Sequence, residues 1–199
     1  MSVITCRSNR LRGARELSRK HPTETFYNYV GGSSGAWQVT QMTTGRGEPL
    51  TPVTHVNIIN GPLDRMPIRA SWVLSGLVQN TLYITREERQ SAGRGTSSEP
   101  LPPTCAALIP ILYSPEWWEL GPPARRELQQ SHPMRGLSAI MRRWQYRWDL
   151  SEQFDGVTWF EYEPRDSAAF DDLLANWRAS EKWRFVQREC DIRLVRATS

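Results

Sequence analysis

The stretch CAALIPILYSPEWWEL, residues 105–120, is the part of the chain that decides its fold class. Residues 105–113 form a nearly continuous apolar run, which is typical of a β-strand buried on both faces. Ser114 followed by Pro115 marks a helix start, because proline fits the first helical position, where no backbone N–H is needed. The stretch therefore predicts a buried strand that leads directly into a helix carrying Trp117 and Trp118.

The patterns downstream of this stretch predict further helices and strands. A second helix, ARRELQQSH, is expected after the break at residues 121–123. It is followed by a helix in LSAIMRRWQYRW (137–148), a strand in GVTWFEYE (156–163), a helix in 166–183 and a closing strand in RECDIRLVRA (188–197). The helix of 166–183 has one apolar face, which consists of Phe170, Leu173, Leu174 and Trp177. This order of elements is that of a split β-α-β repeat of the ferredoxin-like type.

The first half of the chain consists mostly of strand patterns. TFYNYVGG (25–32) and GAWQVTQMT (35–43) alternate apolar and polar residues around a Gly-Ser-Ser-Gly turn, which predicts a β-hairpin. A third strand is expected in PVTHVNII (52–59), and a fourth, bent at Gly76, within residues 68–85. We therefore expect an α+β domain over residues 23–199, in which a reduced N-terminal repeat (23–104) precedes a C-terminal repeat (105–199).

Positive charge is concentrated near the N-terminus of a chain whose net charge is +4. Residues 7–20 contain one glutamate and six basic residues, which are Arg7, Arg10, Arg12, Arg15, Arg19 and Lys20. A nucleic-acid arm is one interpretation, but no aromatic residues interleave with these charges. We therefore expect residues 1–22 to be a flexible tail and expect no nucleic-acid partner. Because the sequence has neither a long apolar run nor a signal-peptide core, we also expect a cytoplasmic protein without a membrane partner.

The three histidines limit the chemistry that the chain can support. His21 lies in the basic tail, and His55 lies inside a predicted strand, where a structural role is the ordinary interpretation. His132 ends a predicted helix beside a segment rich in arginine and tryptophan. The motifs of α/β-hydrolases, zinc proteases and nucleotide-binding loops are absent from the sequence. The residues alone therefore leave open a site with a single histidine that binds a metal or heme, or no such site.

Three segments together resemble the chlorite dismutase family, in its shorter, dimer-forming branch. They are CAALIPILYSPEWWEL (105–120), WVLSGLVQNTLYITREER (72–89) and FDGVTWFEYEPRDSAAFDDLLANWRASEKWRFVQRECDIRLVR (154–196). The resemblance implies ferredoxin-like repeats that form a dimeric α+β barrel, with the first repeat reduced and the second repeat binding heme b. It also implies a homodimer that acts on a small anionic substrate.

The resemblance further implies which residues surround the heme. His132 matches the proximal ligand of the iron, since HPMRG keeps the family pattern H-x-x-x-G. Asn80 and Tyr83 match residues near the heme propionates, and Trp117 matches the tryptophan beside the heme edge. Gln129, one helical turn before His132, is the alternative for the ligand position.

On the opposite face of the heme, Arg142 matches the distal arginine when the chain is aligned backwards from TWFEYE, and Arg143 is the alternative. A guanidinium at that position would hold an anion by charge and by hydrogen bonds. The implied function is that of a heme b oxidoreductase converting chlorite to chloride and dioxygen. The alternatives are a heme enzyme of the same fold with another small oxidant or a nitrogen-oxygen substrate, and a non-catalytic heme-binding or ligand-binding module.

Overall fold

The computed structural model describes residues 26–61, 63, 67, 69–77, 104–130, 141–147 and 154–197. Within these ranges it contains eight strands and three α-helices. The strands are β1 (Phe26–Gly32), β2 (Trp37–Arg46), β3 (His55–Asn60), β4 (Ala70–Leu77), β5 (Cys105–Tyr113), β6 (Met141–Arg147), β7 (Gly156–Tyr162) and β8 (Val186–Arg196). The helices are α1 (Pro115–Glu119), α2 (Pro122–Gln130) and α3 (Ser167–Arg178), with 3₁₀ turns at Pro164–Asp166 and Glu181–Phe185. No helix in the described ranges is both long enough and apolar enough to span a membrane.

The eight strands form one closed barrel in the order β1-β3-β2-β8-β5-β7-β6-β4. In the second half of the chain, the strands lie in the order fourth, first, third, second, and helices connect the first to the second and the third to the fourth. This is the ferredoxin-like arrangement that the sequence predicted. The strands of the first half repeat the same order as β4-β1-β3-β2. The predicted α+β fold of two ferredoxin-like repeats is therefore confirmed.

The first repeat is reduced because its strands are joined by short connections. Only residues 33–36 connect β1 to β2, and this connection contains no helix. The predicted hairpin of these two strands is wrong, since β3 lies between them and pairs antiparallel with both. The connection passes so close to β3 that a Cβ atom on Gly35 would lie 2.6 Å from the carbonyl carbon and oxygen of Val56. Gly35 therefore lets the chain cross close to β3, and it is not part of a hairpin turn.

The helix predicted for residues 137–148 is also wrong where the structure describes this segment. Residues 141–147 form β6, which pairs with β7 from Met141 to Tyr146 and with β4 at Tyr146 and Arg147. The pairing with two strands closes the barrel, and this tertiary gain outweighs the helical preference of the isolated segment. The pairing of β4 with β1 continues through Gly76 without a register shift, so no bulge interrupts this pairing at that residue.

The buried side chains form two clusters, one on each side of the second repeat's sheet. The inner cluster fills the barrel, and its largest aromatic members are Tyr29, Trp37, Trp72 and Trp159. The outer aromatic cluster lies between this sheet and the helices, and it comprises Tyr113, Trp117, Phe160, Tyr162, Phe170, Trp177, Trp183 and Phe185. Strand β5 contributes to both clusters, as its continuous apolar sequence predicted. The outer aromatic cluster is the part of the core that bears on function.

Candidate functional site

The short helix α1 directs Trp117 into the outer aromatic cluster. Ser114 precedes the helix, and its backbone N–H donates to the carbonyl oxygen of Phe185 over 2.7 Å. This bond ties the start of α1 to the end of the 3₁₀ turn Glu181–Phe185. As a result, the side chain of Trp117 is 2% exposed, whereas that of its neighbour Trp118 is 48% exposed.

Trp117 lies between two aromatic rings. The ring of Tyr113 stacks on it, with 4.6 Å between centroids and 20° between planes. The ring of Phe185 lies 5.6 Å away at a tilt of 57°. Such contacts fix the plane of the indole, because aromatic pairs have preferred relative orientations. Trp117 is therefore a rigid apolar wall on this side of the sheet.

A lysine is buried beside these rings. Lys182, in the 3₁₀ turn Glu181–Phe185, is 6% exposed. Its Nζ atom lies 5.3 Å from the ring centroid of Tyr113 and 5.7 Å from that of Trp117. These distances are those of cation–π interactions. The sequence did not point to this residue, since a lysine in EKWRF resembles any solvated surface charge, and only the tertiary packing places it over the two rings.

Strand β7 forms the sheet face beneath the outer aromatic cluster. Phe160 and Tyr162 belong to the outer cluster, whereas Val157 and Trp159 belong to the inner one, as the two-residue alternation of a strand requires. Thr158 is fully buried and lies on the same face as Phe160. Its Oγ1 atom has no hydrogen-bond partner among the described residues. This face therefore contains a polar atom that a bound group or a neighbouring segment could satisfy.

The register of β6 distinguishes the two candidate distal arginines. Arg142 lies opposite Phe160, and Arg143 lies opposite Trp159. Residues directly opposite each other in an antiparallel pair share one face of the sheet. The position of Arg142 thus belongs to the face of the outer aromatic cluster, and that of Arg143 to the face of the inner cluster.

Three of the predicted site residues, Asn80, Tyr83 and His132, lie outside the described residues. The chain reaches His132 from α2, which ends at Gln130, and it enters β6 at Met141. His55 is described: it is partly exposed on β3, and its Nδ1 atom lies 3.0 Å from Oγ1 of Thr54. It belongs to neither cluster, and the structural role expected for it stays a prediction.

A polar cleft of about 610 Å³ lies between β2, β8 and α3, and Trp183 of the outer aromatic cluster is part of its lining. Two buried carboxylates line it, Glu189 at 1% exposure and Asp191 at 6%. Arg178 of α3 donates to both of them, and Arg193 donates to both oxygens of Asp191, at 2.6 and 3.1 Å. Burial acts to lower the pKa of Arg193, but the hydrogen bonds and charge of Asp191 outweigh it and hold that pKa above its usual value.

Each buried carboxylate in the cleft thus has a guanidinium partner, an arrangement that fastens α3 to β8. The described residues contain no cluster of side chains suited to a metal ion. The outer aromatic cluster, with Trp117, Lys182 and the position of Arg142, is therefore the candidate site.

No family model matches the chain, and no curated protein sequence matches it either. Among solved structures, a dimeric chlorite dismutase from Nitrobacter winogradskyi is 34% identical, with a TM-score of 0.73. The match covers 86% of this chain and 99% of that one.

More distant matches agree in fold. A variant of the chlorite dismutase from Candidatus Nitrospira defluvii is 15% identical, with a TM-score of 0.59, over 97% of this chain and 83% of that one. The same protein in complex with imidazole is 16% identical, with a TM-score of 0.56, over 95% of this chain and 82% of that one. At this level of identity the two matches support the architecture alone.

Proposed function

Because the chain belongs to the chlorite dismutase family, we propose that it is a heme b oxidoreductase that converts chlorite to chloride and dioxygen. The observation that carries the proposal beyond the fold is the register of β6. It puts the position of Arg142 opposite Phe160, on the sheet face of the cluster that contains Trp117. A cationic position and a rigid aromatic wall thus share one face of the sheet, next to the connection from α2 to β6.

We assign the cofactor's surroundings as follows. His132 would hold the heme iron, Trp117 would border the heme, and Asn80 and Tyr83 would bind its propionates. The described part of this environment fits a flat apolar macrocycle, because it consists of buried aromatic rings. The buried Thr158 hydroxyl, which has no partner among the described residues, agrees with a further group above β7. When bound, heme iron supplies the redox chemistry that protein side chains lack.

Arg142 acts on the substrate in this proposal. Chlorite is an anion, and its conversion to chloride and dioxygen is balanced in atoms and charge without a further reductant. The protein therefore has to hold the anion and its chlorine-containing fragment near the cofactor until dioxygen has formed. A guanidinium is suited to this task, since it keeps its charge at every physiological pH and offers several N–H donors in one plane.

We further propose a homodimer, as the relative from Nitrobacter winogradskyi is described as dimeric. The surface of β2 in the first repeat shows no apolar face that a second subunit would cover. Its exposed residues include Gln38, Thr40 and Thr43, all of them polar. The exposed large apolar side chain of the described residues is Trp118, on α1. Light scattering should therefore give twice the protomer mass of 22.9 kDa at micromolar concentration, and a monomer would refute the proposal.

Two measurements, made one after the other, test the enzymatic function. The protein is purified with heme supplied during expression, and its absorption spectrum is recorded in the Soret region. A Soret band is expected, and its absence after reconstitution would indicate a module that does not bind heme. Chlorite is then added in a sealed oxygen-electrode chamber, where one dioxygen should be released per chlorite. A heme-loaded protein that releases none would be a heme protein with another substrate or without catalysis.

A further inference from the structure

The stretch of β2 that lines the polar cleft is flanked by two β-bulges. The register of β2 against β8 shifts at Thr40 and again at Gly45. A bulge inserts one extra residue, so the next side chain points to the other face of the sheet. As a result, Gln41 and Arg46 both lie on the face of the cleft, where Arg46 is opposite Glu189. Because bulges are enriched beside binding and active sites, this pair of bulges points to a ligand site in the cleft.

Arg46 lines the cleft with part of its guanidinium unpaired. Its Nη1 atom donates to the carbonyl oxygens of Trp183 and Val186, each 3.1 Å away. Within the described part of the chain, its Nε and Nη2 atoms donate no hydrogen bond, and no carboxylate forms an ion pair with it. The two carbonyl bonds orient the guanidinium, and a planar set of N–H donors of this kind matches the geometry of a carboxylate.

Glu189, opposite Arg46, is a buried carboxylate with one unpaired oxygen. Both hydrogen bonds from Arg178 end on Oε1, and none of the described residues donates to Oε2. Gly45 lies beside that oxygen, since a Cβ atom on Gly45 would collide with it. Gly45 and Glu189 both line the cleft. Buried polar atoms are nearly always hydrogen-bonded, so a donor from a ligand in the cleft would complete this carboxylate.

The charges in the lining of the cleft balance. The lining contains three guanidiniums and three carboxylates, namely Arg46, Arg178, Arg193, Asp171, Glu189 and Asp191. Arg178 and Arg193 already pair with carboxylates of the lining, whereas Arg46 and Oε2 of Glu189 lie unpaired on neighbouring strands. Glu189 would repel a simple anion, and Arg46 would repel a simple cation. A small molecule that carries both charges is complementary to the two groups together.

We propose that the polar cleft binds an α-amino acid with an uncharged polar side chain. Arg46 holds its carboxylate, and Oε2 of Glu189 accepts a hydrogen bond from its ammonium group. Gln41 donates to Thr43 over 3.0 Å, and both exposed residues offer polar atoms to the side chain of the ligand. The cleft volume of about 610 Å³ is within the range of small-molecule sites. The inference does not rest on the proposed function, because neither heme nor chlorite takes part in this binding.

Isothermal titration calorimetry of the full chain with L-serine, L-asparagine and L-glutamine tests the proposal. At least one of them should bind, at one site per chain. The tightest ligand is then compared with the acid that lacks its amino group and with the amine that lacks its carboxylate, which for L-serine are 3-hydroxypropionate and ethanolamine. Each analogue should bind about tenfold more weakly or worse, because it loses one hydrogen bond between charged groups.

Two outcomes of the calorimetry contradict the proposal. If none of the three amino acids binds, the cleft is not a site for this class of ligand. If the acid or the amine binds as tightly as the amino acid, the cleft recognises one charge only, and the proposal is wrong as well.

Two variants place the ligand in the cleft. Thr43→Tyr fills the cleft from an exposed position of β2, and Arg46→Gln removes the guanidinium but keeps an N–H donor for the two carbonyl oxygens. Each should weaken binding by about tenfold or more, while circular dichroism shows a retained fold. Arg165→Gln is the matched control, since the side chain of Arg165 is 82% exposed and is not part of the lining.

Arg165→Gln should bind the amino acid like the wild type. An equal loss of affinity in this control would show a general effect of charge, and the proposal would be wrong. Wild-type affinity in both Thr43→Tyr and Arg46→Gln would mean that the amino acid binds elsewhere on the protein, which also contradicts the proposal.

Discussion

Arg46 on β2 donates from Nη1 to the backbone carbonyl oxygens of Trp183 and Val186, each 3.1 Å away. These bonds join the first repeat to the start of β8 and to the 3₁₀ turn Glu181–Phe185, which contains Lys182, whose Nζ atom lies over the ring of Trp117. The first repeat lacks helices between β1 and β2, yet through Arg46 it contacts the second repeat next to the candidate site. Arg46 of the reduced first repeat thus helps to fix the geometry of the second repeat.

Arg46→Ala should loosen this turn. We expect the free energy of unfolding to fall by about 1 kcal/mol. Buried hydrogen bonds from a charged donor contribute more than this, but Arg46 is exposed, and exposure lowers their contribution. Urea unfolding followed by tryptophan fluorescence measures the change. Glu181→Ala removes an exposed charged side chain from the same turn and leaves both carbonyl bonds in place. An equal loss in that variant would contradict the role given to Arg46.

The sequence predicted the elements whose signals are local. The apolar run of residues 105–113 and the apolar stripe of α3 predicted β5 and α3 because their burial follows directly from composition and spacing. The pairing of β1 and β2 was not predictable in the same way. The turn residues that would close a hairpin also fit a crossing over β3, and only barrel closure decides between the two. Residues 141–147 were assigned to a helix because the pairing that makes them a strand comes from β7 and β4.

The candidate site was predicted to a similar extent. Trp117 was assigned from the resemblance; the structure shows that its side chain is buried, and its place beside the heme stays a prediction. Arg142 was assigned to a helix and lies in β6, opposite Phe160, and the choice of Arg142 over Arg143 as the distal residue stays a prediction. Lys182 could not be predicted, since its burial depends on the Ser114 bond to Phe185 and on the stacking of Tyr113. Such contacts between distant parts of the chain leave no periodic pattern.

The unfolding free energy should fall at alkaline pH because of Tyr162. Burial raises the pKa of this residue above the usual value of 10.0, although Arg193 opposes the shift by a hydrogen bond and by its charge. In the unfolded chain the phenol loses its proton first, so stability is at its plateau below pH 10 and declines as the pH rises through the raised pKa. Tyr162→Phe should flatten this decline in urea unfolding measured between pH 8 and 11. Parallel curves for both proteins would show that Tyr162 contributes nothing to it.

His132→Ala should abolish or strongly weaken the Soret band while the protein remains folded, because an axial ligand retains the cofactor and adds little to the core. Far-ultraviolet circular dichroism reports the fold, and titration with heme reports the binding. His55→Ala is the control, since His55 is partly exposed on β3 and belongs to neither cluster. Loss of heme in Gln129→Ala, with retention in His132→Ala, would transfer the ligand role to Gln129.

Arg142→Ala should keep the Soret band and lose turnover, because Arg142 is proposed to hold the substrate anion and not the cofactor. Removing one such electrostatic group lowers the rate on the order of a hundredfold or more. Dioxygen release measures the rate, and titration with cyanide or fluoride measures anion binding, which should weaken in parallel. Arg142→Lys should recover only part of both, since an ammonium keeps the charge but not the planar set of donors.

Arg143→Ala is the matched control for this prediction. Its position lies opposite Trp159 of the inner cluster, whereas that of Arg142 lies opposite Phe160 of the outer aromatic cluster. Both variants remove the same group from adjacent residues of β6, so a nonspecific effect of charge on chlorite attraction would be alike in the two. The proposal requires a large loss in Arg142→Ala and wild-type turnover in Arg143→Ala. The reverse result would mean that the distal cation lies on the barrel side of the sheet, and the site would then have to be sought among Tyr29, Trp37 and Trp159.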